Sequence, residues 1–544
     1  MKKNSFVEGT LIASLSLLLI KFLGAVYVIP FYGIVGELGG ALYSYAYSVY
    51  SLVINICTAG IPLAISKIVS EYNTLEMYDA KERTLKIGNK IVLVASAILF
   101  FAMFVFAREF AYIFVGDITG GNTIEDVELV IRSISFCLLI VPLLAVKKGY
   151  LQGQKYITAT TNSQLLEQIV RIAFLLVGSY LAIKVFSLKT SIGVAIAVFS
   201  AFIAGLCAYI YLEIQCKKNK KELNIPDKNH KDQVSNNSIF KKILKFSIPL
   251  IIVSISIDIY NMTDLALIIR GLSIIGYSGS EAETIASVMA TWASKICLIV
   301  NAIASGLSIS LIPHMVSNLV KKDYKGINSQ FVKSIGIIIV VGLPMSVGIS
   351  LLSNEIYTIF YGYSEYGSIV LRLLPFSILL TNLNFVISMV LQNLNKFKTV
   401  YISTFTGLII NAMLDIPLIL LCSKIGIYPY YGAIFATLIG TSISIFISMK
   451  SLKKEMKFKY KGILDIIKKV IIPIVLMSIV VFIINGYLTD FFNTRITMMI
   501  TCIICALIGA TIYGIVTLKN GLLYDVLGKD YVDNILRKVK LKRD

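Results

Sequence analysis

Apolar runs of about 20 residues recur along the whole chain, with short polar segments between them. A helix needs about 20 apolar residues to cross a bilayer, and the runs are too numerous for a single anchor. The pattern therefore predicts an all-α integral membrane protein with fourteen transmembrane helices. The predicted spans are residues 9–30, 41–65, 88–107, 128–146, 164–183, 190–213, 246–269, 285–312, 334–353, 368–390, 399–421, 430–449, 470–488 and 496–517.

An internal repeat organises these spans. Residues 55–66 recur 246 positions later as residues 301–312, so that Asn55 matches Asn301. At an offset of 240, Arg132 also matches Arg372. Paired polar residues in the same order are a stronger signal of duplication than paired leucines. The pairs Gly60 with Gly306 and Glu109 with Glu355 share the first offset.

The repeat predicts the domain organisation. Residues 1–216 form a first lobe of six helices, residues 217–245 a polar cytoplasmic linker, and residues 246–450 a second lobe of six helices. Residues 451–544 hold the last two helices and a basic cytoplasmic tail. Because each lobe contains an even number of helices, both lobes start on the same side of the membrane, and the repeat is parallel.

Composition supports a membrane location and argues against an enzyme. Hydrophobic residues make up 57% of the 544 residues and charged residues only 15%, against about 25% charged in soluble domains. No GxxxxGK[ST], HExxH or GxSxG motif is present, so nucleotide-driven or hydrolytic chemistry is not expected. With only two histidines in the chain, no metal site and no cofactor are expected either.

The net charge of +20 is explained by its distribution rather than by a nucleic-acid partner. Nearly all Lys and Arg residues outside the spans fall in alternate loops that include the N-terminus. The bias places both termini in the cytoplasm, where a basic face contacts anionic membrane lipids. The opposite side holds only Arg108, Lys184, Lys189, Arg270, Lys424 and Arg495.

Positive residues within the spans are candidates for substrate binding. A charge at the middle of a spanning helix costs roughly 2.5 to 3.5 kcal/mol on insertion scales and commonly marks function. Lys21 and Lys295 lie near the middle of helices one and eight, so we expect both to face a cavity. Arg132 and Arg372 lie near the outer ends of helices four and ten, from where they reach either lipid headgroups or the cavity. Arg270, Asn55 and Asn301 complete this set of candidates.

Acidic residues within the spans have two possible roles. Asp258, Asp264 and Asp415 either bind a coupling proton or sodium ion or neutralise a nearby Lys or Arg, and the sequence does not separate the two. Glu167 and Arg171 are four residues apart near the cytoplasmic end of helix five. That spacing predicts a structural ion pair on one helix face.

Glycine and proline punctuate two spans. Gly60 with Pro62, and Gly342 with Pro344, are candidate hinges, because proline removes a helical hydrogen bond and bends the helix. Simple helix termination is the alternative interpretation of both pairs.

Several segments together resemble a known family of exporters. They are residues 21–24 (KFLG), Tyr27, residues 29–30 (IP), 42–43 (LY), 50–52 (YSL), 58–62 (TAGIP), 64–67 (AISK), 149–153 (GYLQG) and 164–171 (QLLEQIVR). The chain resembles the polysaccharide-biosynthesis exporters of the stage V sporulation protein B type. These are similar to lipid II flippases of the MurJ kind, in the superfamily that also holds the MATE drug exporters.

The resemblance implies two six-helix lobes around a V-shaped cavity lined by helices one, two, seven and eight, with Lys21 and Lys295 facing that cavity. One position departs from the pattern, since many relatives carry arginine where this chain has Val28. Part of the cationic cluster expected from the family is therefore missing or displaced.

The implied function is a flippase of the bacterial cell membrane. Lys21, Lys295 and Arg270 would bind the diphosphate of an undecaprenyl-linked saccharide, first among them lipid II, and the lobes would alternate between the two leaflets. The membrane potential would drive transport without a cofactor, with Na⁺ or H⁺ as possible coupling ions. A monomer working near cell-wall synthases is expected.

Three alternatives remain at this stage. The chain could carry teichoic-acid, capsule or spore-wall precursors, it could be a cation-coupled multidrug exporter of the MATE type, or it could be a non-transporting partner of a cell-wall or spore-coat synthase. A drug exporter would need an acidic cavity, whereas the charges within these spans are mainly positive.

Overall fold

The computed structural model describes residues 16, 19–20, 23–24, 26–116, 120–219, 223, 233–298, 300, 323–456, 461–489, 494–528 and 532–533. Over these residues all regular structure is helical, and none is strand. Twelve helical spans among them are long and apolar enough to cross a membrane. An all-helical multi-pass membrane protein is thereby confirmed. The count of fourteen stays a prediction, because the predicted spans 9–30 and 285–312 lie partly outside the described residues.

Contacts divide the chain into two compact units, Met1–Ser287 and Val288–Asp544. The helices of the first unit are α1 Val28–Thr58, α2 Ile61–Thr74, α3 Tyr78–Val105, α4 Ala107–Phe114, α5 Ile124–Ser135, α6 Val141–Gly153, α7 Ile157–Tyr180, α8 Thr190–Lys218, α9 Asn236–Ile274 and α10 Gly279–Ser287.

The second unit begins with a π-helical turn, Val288–Trp292, and contains another at Ile338–Gly342. Its α-helices are α11 Ala293–Ile296, α12 Tyr324–Ile337, α13 Leu343–Leu351, α14 Ser353–Tyr361, α15 Glu365–Asn393, α16 Phe397–Lys424, α17 Tyr431–Met456, α18 Lys461–Thr489, α19 Arg495–Lys519 and α20 Leu522–Leu527.

The division by contacts groups α9, the predicted helix seven, with the first unit. The predicted lobes 1–216 and 246–450 rest on the sequence repeat and stay a prediction. The linker is shorter than predicted, however, because α8 runs to Lys218 and α9 begins at Asn236. The Ser235 side chain accepts a hydrogen bond from the Ser238 amide, which caps α9 well before the predicted start at residue 246.

Two cations of α3, the buried Lys81 and the partly buried Arg83, hold the linker against the first unit. Lys81 is fully buried, and its Nζ donates to the Leu223 carbonyl at 2.6 Å and to Gln154 Oε1 at 3.1 Å. Arg83 Nη1 donates to the Val234 carbonyl at 2.6 Å. Because a buried ammonium requires acceptors, these bonds bring both ends of the described linker against α3.

Two glycines interrupt the first long helical segment. Gly36 has φ 69° within α1, a conformation that glycine adopts without steric cost, and it separates the predicted helices one and two without a loop. Gly60 separates α1 from α2, and a Cβ there would lie 2.5 Å from the Ser247 carbonyl oxygen of α9. Glycine therefore permits the close approach of α9 at this break.

Lipid-facing and interior surfaces differ in residue type. Phe101, Met413 and Phe482 are 64%, 69% and 71% exposed on spanning helices, as expected where hydrocarbon rather than water is the solvent. Between α16 and α17 the contact is made instead by small residues. A Cβ on Gly407 would lie 2.8 Å from the Gly440 carbonyl oxygen, and one on Gly440 would lie 2.6 Å from that of Gly407. Small residues allow such backbone contact between membrane helices.

Candidate functional site

A polar stripe runs along one face of α1. Tyr43, Tyr47, Ser51 and Asn55 follow one another at intervals of four residues, which places them on the same side of a helix about 6 Å apart along its axis. Tyr43 is buried, while the other three are partly exposed. Asn55 was predicted from the repeat, and the structure adds the three residues that precede it on the same face.

Asp258 of α9 closes one end of this stripe. One carboxylate oxygen accepts from Ser51 Oγ at 2.7 Å, and the other accepts from Asn55 Nδ2 at 2.6 Å. The residue is only 7% exposed. Two hydrogen bonds from neutral groups therefore satisfy the carboxylate, and among the described residues no Lys or Arg lies within salt-bridge distance of it.

Arg171 of α7 lies at the other end, near the tyrosines. Its Nη2 donates to Gln168 Oε1 at 2.6 Å, and Tyr27, Tyr43 and Tyr47 are all within electrostatic range of its guanidinium. The hydroxyls of Tyr27 and Tyr43 are 3.1 Å apart.

Glu167 and Arg171, the predicted ion pair, each make their direct contact with another residue, although Glu167 is within electrostatic range of Arg171. Glu167 instead pairs with Lys148 of α6 at 2.7 Å, and Arg171 bonds to Gln168. The spacing rule compares positions on one helix only, whereas Lys148 reaches Glu167 from a neighbouring helix. Arg171 also lies deeper than predicted, because α7 begins at Ile157 rather than near residue 164.

The predicted cations have different environments. Lys21 and Asn301 lie outside the described residues. Lys295, in the second unit, places its Nζ 4.8 Å from the ring centroid of the fully buried Trp292. Its partly buried position is consistent with an inward side chain, although its role in binding stays a prediction.

The three arginine candidates are at least partly exposed. Arg132 pairs with Glu128 at 2.7 Å and lies over the Phe104 ring at 5.3 Å. Arg270 is exposed and donates to the Ile113 carbonyl at 3.4 Å. Arg372 is also exposed.

The remaining acidic candidates are partly or fully buried. Asp415 on α16 has no exposed surface, and its Oδ1 accepts from Asn411 Nδ2 at 3.3 Å. Asp264 on α9 is partly buried. In the part of the chain that the structure describes, no group of three His, Cys, Asp or Glu side chains could hold a metal ion.

The candidate hinges coincide with helix irregularities. Gly60 and Pro62 lie at the junction of α1 and α2, with Pro62 in the first turn of α2. Gly342 ends the π-helical turn, and Pro344 lies in the first turn of α13. Irregular turns of this kind are frequent at functional positions, and motion at either junction stays a prediction.

A second buried carboxylate, Glu283 of α10, was not predicted. It is 1% exposed and accepts from the Asn122 backbone amide at 3.0 Å and from the Asn122 side chain. Burial raises the pKa of Glu283 to about 7, with the nearby Asp126 acting in the same direction. Nothing in the local sequence signals the contact, because Asn122 is 161 residues away.

Comparison with known proteins places the chain among transporters. The family model described as polysaccharide biosynthesis protein matches residues 6–280, and the MatE model matches residues 249–416. The chain is 31% identical to the lipid II flippase MurJ of Bacillus subtilis (strain 168) over 97% of each protein. It is 23% identical to stage V sporulation protein B of the same organism, over 70% of this chain and 71% of that protein.

Solved structures show the same fold at lower identity. A structure of lipid II flippase MurJ in an inward closed conformation matches with a TM-score of 0.65 and 16% identity, over 95% of this chain and 100% of that chain. An inward-facing MATE multidrug transporter also matches with a TM-score of 0.65 and 14% identity, over 80% and 95% of the two chains. The chain is therefore a multi-pass membrane protein with the MATE and MurJ fold, and it belongs to the polysaccharide biosynthesis protein family, in the group of flippase transporters that contains MurJ.

Proposed function

We propose that the protein is a flippase that moves an undecaprenyl-diphosphate-linked saccharide, with lipid II as its first candidate, from the inner to the outer leaflet of the bacterial plasma membrane. The observation that carries the proposal is the 31% identity to the lipid II flippase MurJ over 97% of both chains. Flipping needs no covalent chemistry. It requires a polar site for the headgroup within a helical bundle, and the polar stripe of α1 supplies hydroxyl and amide groups for such a site.

Alternating access is the proposed mechanism. The headgroup enters from the cytoplasm, binds buried polar and cationic side chains, and leaves outward while the polyprenyl tail stays in lipid. Lys21 and Lys295 are the proposed diphosphate ligands, with Arg270, Arg132, Arg372 and the amides Asn55 and Asn301 as the wider set of candidates.

The energy source is proposed to be the membrane potential. A potential of 100 mV is worth about 2.3 kcal/mol per charge and drives anions outward in an inside-negative cell. Asp258, Asp264 and Asp415 are the candidates for coupling to Na⁺ or H⁺. If a potential imposed in reconstituted vesicles does not change the flipping rate, while an imposed ion gradient does, the coupling ion replaces the potential in this proposal.

The proposal also covers orientation and assembly. Both termini lie in the cytoplasm, the protein acts as a monomer, and cell-wall synthases are its neighbours. The basic alternate loops support the orientation.

Rescue of a bacterium depleted of its own lipid II flippases tests the function. We expect growth and surface-exposed lipid II on expression of the wild type, and less lipid II on the outer face for K21A and K295A at equal expression. A K184A variant, which removes a lysine from the π-helical turn Leu181–Val185 that follows α7, provides the matched control. Failure of the wild type to rescue, together with export of cationic drugs, would favour a MATE-type exporter, for which the MatE match over residues 249–416 is the supporting observation.

A further inference from the structure

Arg171 lies at the centre of a candidate membrane span. The span formed by α7 and the following π-helical turn is Ile157–Val185, so fourteen residues lie on either side of the arginine. At 1.5 Å per residue, each end of the helix is about 21 Å away. Arg171 is therefore far from both ends of its helix, and charged residues within a membrane-spanning segment generally serve a function.

The charge of Arg171 has no carboxylate partner among the described residues. The neighbouring carboxylate, Glu167, is paired with Lys148 at 2.7 Å. Lys148, Glu167 and Arg171 together therefore carry a net charge of +1. Within the described part of the chain, Arg171 donates one hydrogen bond, to the Gln168 amide oxygen. A guanidinium has five N–H donors, so most of its donor capacity is available to a ligand.

The surroundings of Arg171 carry further donors. Gln168 is 5% exposed, and its buried Nε2 has no hydrogen-bond partner among the residues that the structure describes, which is rare for a buried amide. Tyr27, Tyr43 and Tyr47 are within electrostatic range of the guanidinium, and a phenol hydroxyl can donate as well as accept. The cluster is not sealed, because Arg171 and Tyr47 are partly exposed.

This set of groups suits an oxyanion. Arginine binds phosphate through two parallel N–H···O bonds, with a geometry that lysine does not reproduce. The nearby Glu167 acts on Arg171 electrostatically but is paired with Lys148. An anion that enters next to the guanidinium would therefore stabilise a positive charge that no carboxylate of the described residues pairs directly. A cation would be repelled.

We propose that Arg171, Gln168, Tyr27, Tyr43 and Tyr47 form an anion-binding site within the first unit, and that its ligand is a phosphate group of the lipid-linked substrate. The inference rests on the proposed function and deepens it. The site lies at one end of the polar stripe of α1, and partly exposed polar groups continue from it to Ser51 and Asn55.

Binding to the purified full-length protein in detergent tests the site. The probes are undecaprenyl diphosphate, undecaprenol, which lacks the phosphates, and inorganic pyrophosphate, which lacks the lipid. We expect R171Q to weaken the binding of undecaprenyl diphosphate at least about tenfold, R171K to retain part of it, and Y47F to weaken it about threefold, as for the loss of one hydrogen bond. The matched control is R108Q, which removes an exposed arginine outside the candidate spans.

The outcomes separate the site from the proposed function. If the wild type binds undecaprenyl diphosphate and R171Q binds it as tightly as R108Q does, the site is wrong and the proposed function stands. If the wild type prefers undecaprenyl diphosphate no more than undecaprenol, both fail. If pyrophosphate binds as tightly as the lipid and with the same dependence on Arg171, the site takes a free anion, and its assignment to the substrate is wrong.

The proposed anion site remains testable even if the R171Q variant does not fold. Melting temperatures of all variants are measured alongside binding. Should R171Q fail to fold, Y47F and Q168M, which keep the arginine, decide the matter: unchanged affinity in both would overturn the proposal.

Discussion

At the scale of single residues, the contacts made by Asp258 and Arg171 show what a sequence can and cannot reveal. Asn55 and Asp258 were both identified as candidates, but their contact spans 203 residues and no local rule predicts it. Ser51 was missed even though it precedes Asn55 by one helical turn on the same face. The spacing rule assigned Glu167 to Arg171 because it compares residues on one helix only. Lys148, which pairs with Glu167, lies on another helix.

The hydrogen bond from Ser51 to Asp258 should contribute measurably to stability. A bond to a buried carboxylate is expected to contribute about 1.5 to 3 kcal/mol, so S51A should lower the melting temperature of the purified protein. Ser48 provides the matched control, because its Oγ donates to the Ser44 carbonyl of its own helix at 2.9 Å. S48A should have little effect. Equal losses in S51A and S48A would show that the carboxylate contact is energetically unimportant.

Glu283 should make the stability of the first unit depend on pH. Its pKa of about 7 lies above the value near 4.3 expected in an unfolded chain, so between these two values the folded state binds a proton that the unfolded state does not. Stability therefore falls as pH rises through this window. Asp126 and Tyr45 are the titratable groups that face Glu283.

The comparison with E283Q isolates this contribution. The amide keeps an oxygen to accept from Asn122 but does not titrate. We expect the melting temperature of the wild type, relative to E283Q, to fall between pH 5 and pH 8, by an amount that corresponds to up to roughly 3 kcal/mol. A difference that is constant over this range would contradict a raised pKa.

At the scale of elements, hydropathy predicted the positions of most spans, while their ends and breaks depended on tertiary contacts. The predicted loop between residues 30 and 41 is helical apart from Gly36, since one residue at positive φ suffices to change the direction of the chain. Likewise, α7 begins earlier than its apolar run, because Thr160, Thr161 and Ser163 of its first turns are buried within the protein. Hydropathy windows detect apolar surface and not helix length, so the depth of Arg171 was underestimated.

The contact between α16 and α17 should be sensitive to a single methyl group. A Cβ on Gly440 would lie 2.6 Å from the Gly407 carbonyl oxygen, and a backbone atom can move away only if the helices separate. We expect G440A to cost about 1 to 3 kcal/mol, as overpacking generally does, measured as a lower melting temperature. The matched control is G486A in α18, where a Cβ meets nothing within 4 Å. There the higher helix propensity of alanine should leave stability unchanged or raised, so a comparable loss in both variants would contradict the packing argument.

At the scale of the whole molecule, the family and the number of apolar spans give the fold, and the distribution of basic residues gives a proposed orientation. The sequence predicted the family because its motifs are shared with relatives, and one relative matches this chain over nearly its full length. It could not bring Arg171 and Asp258 to the two ends of the polar stripe of α1, because these residues come from α7 and α9, which lie far from α1 along the chain. The candidate site thus depends on contacts between helices. The sequence of each helix by itself indicates only that the helix spans a membrane.

The proposed orientation predicts which loops are accessible from outside the cell. Leu75, between α2 and α3, is 56% exposed and is predicted to be cytoplasmic, whereas Tyr363, between α14 and α15, is 78% exposed and is predicted to be outside. In intact cells a membrane-impermeant maleimide should label Y363C and not L75C, and permeabilised cells should show labelling of both. The wild type measures the background from the native cysteines, of which Cys207, Cys216 and Cys502 are partly exposed and the others are buried. Because a parallel repeat fixes the side of every loop once one is known, labelling of L75C alone would invert the whole topology and, with it, the direction in which the proposed transport runs.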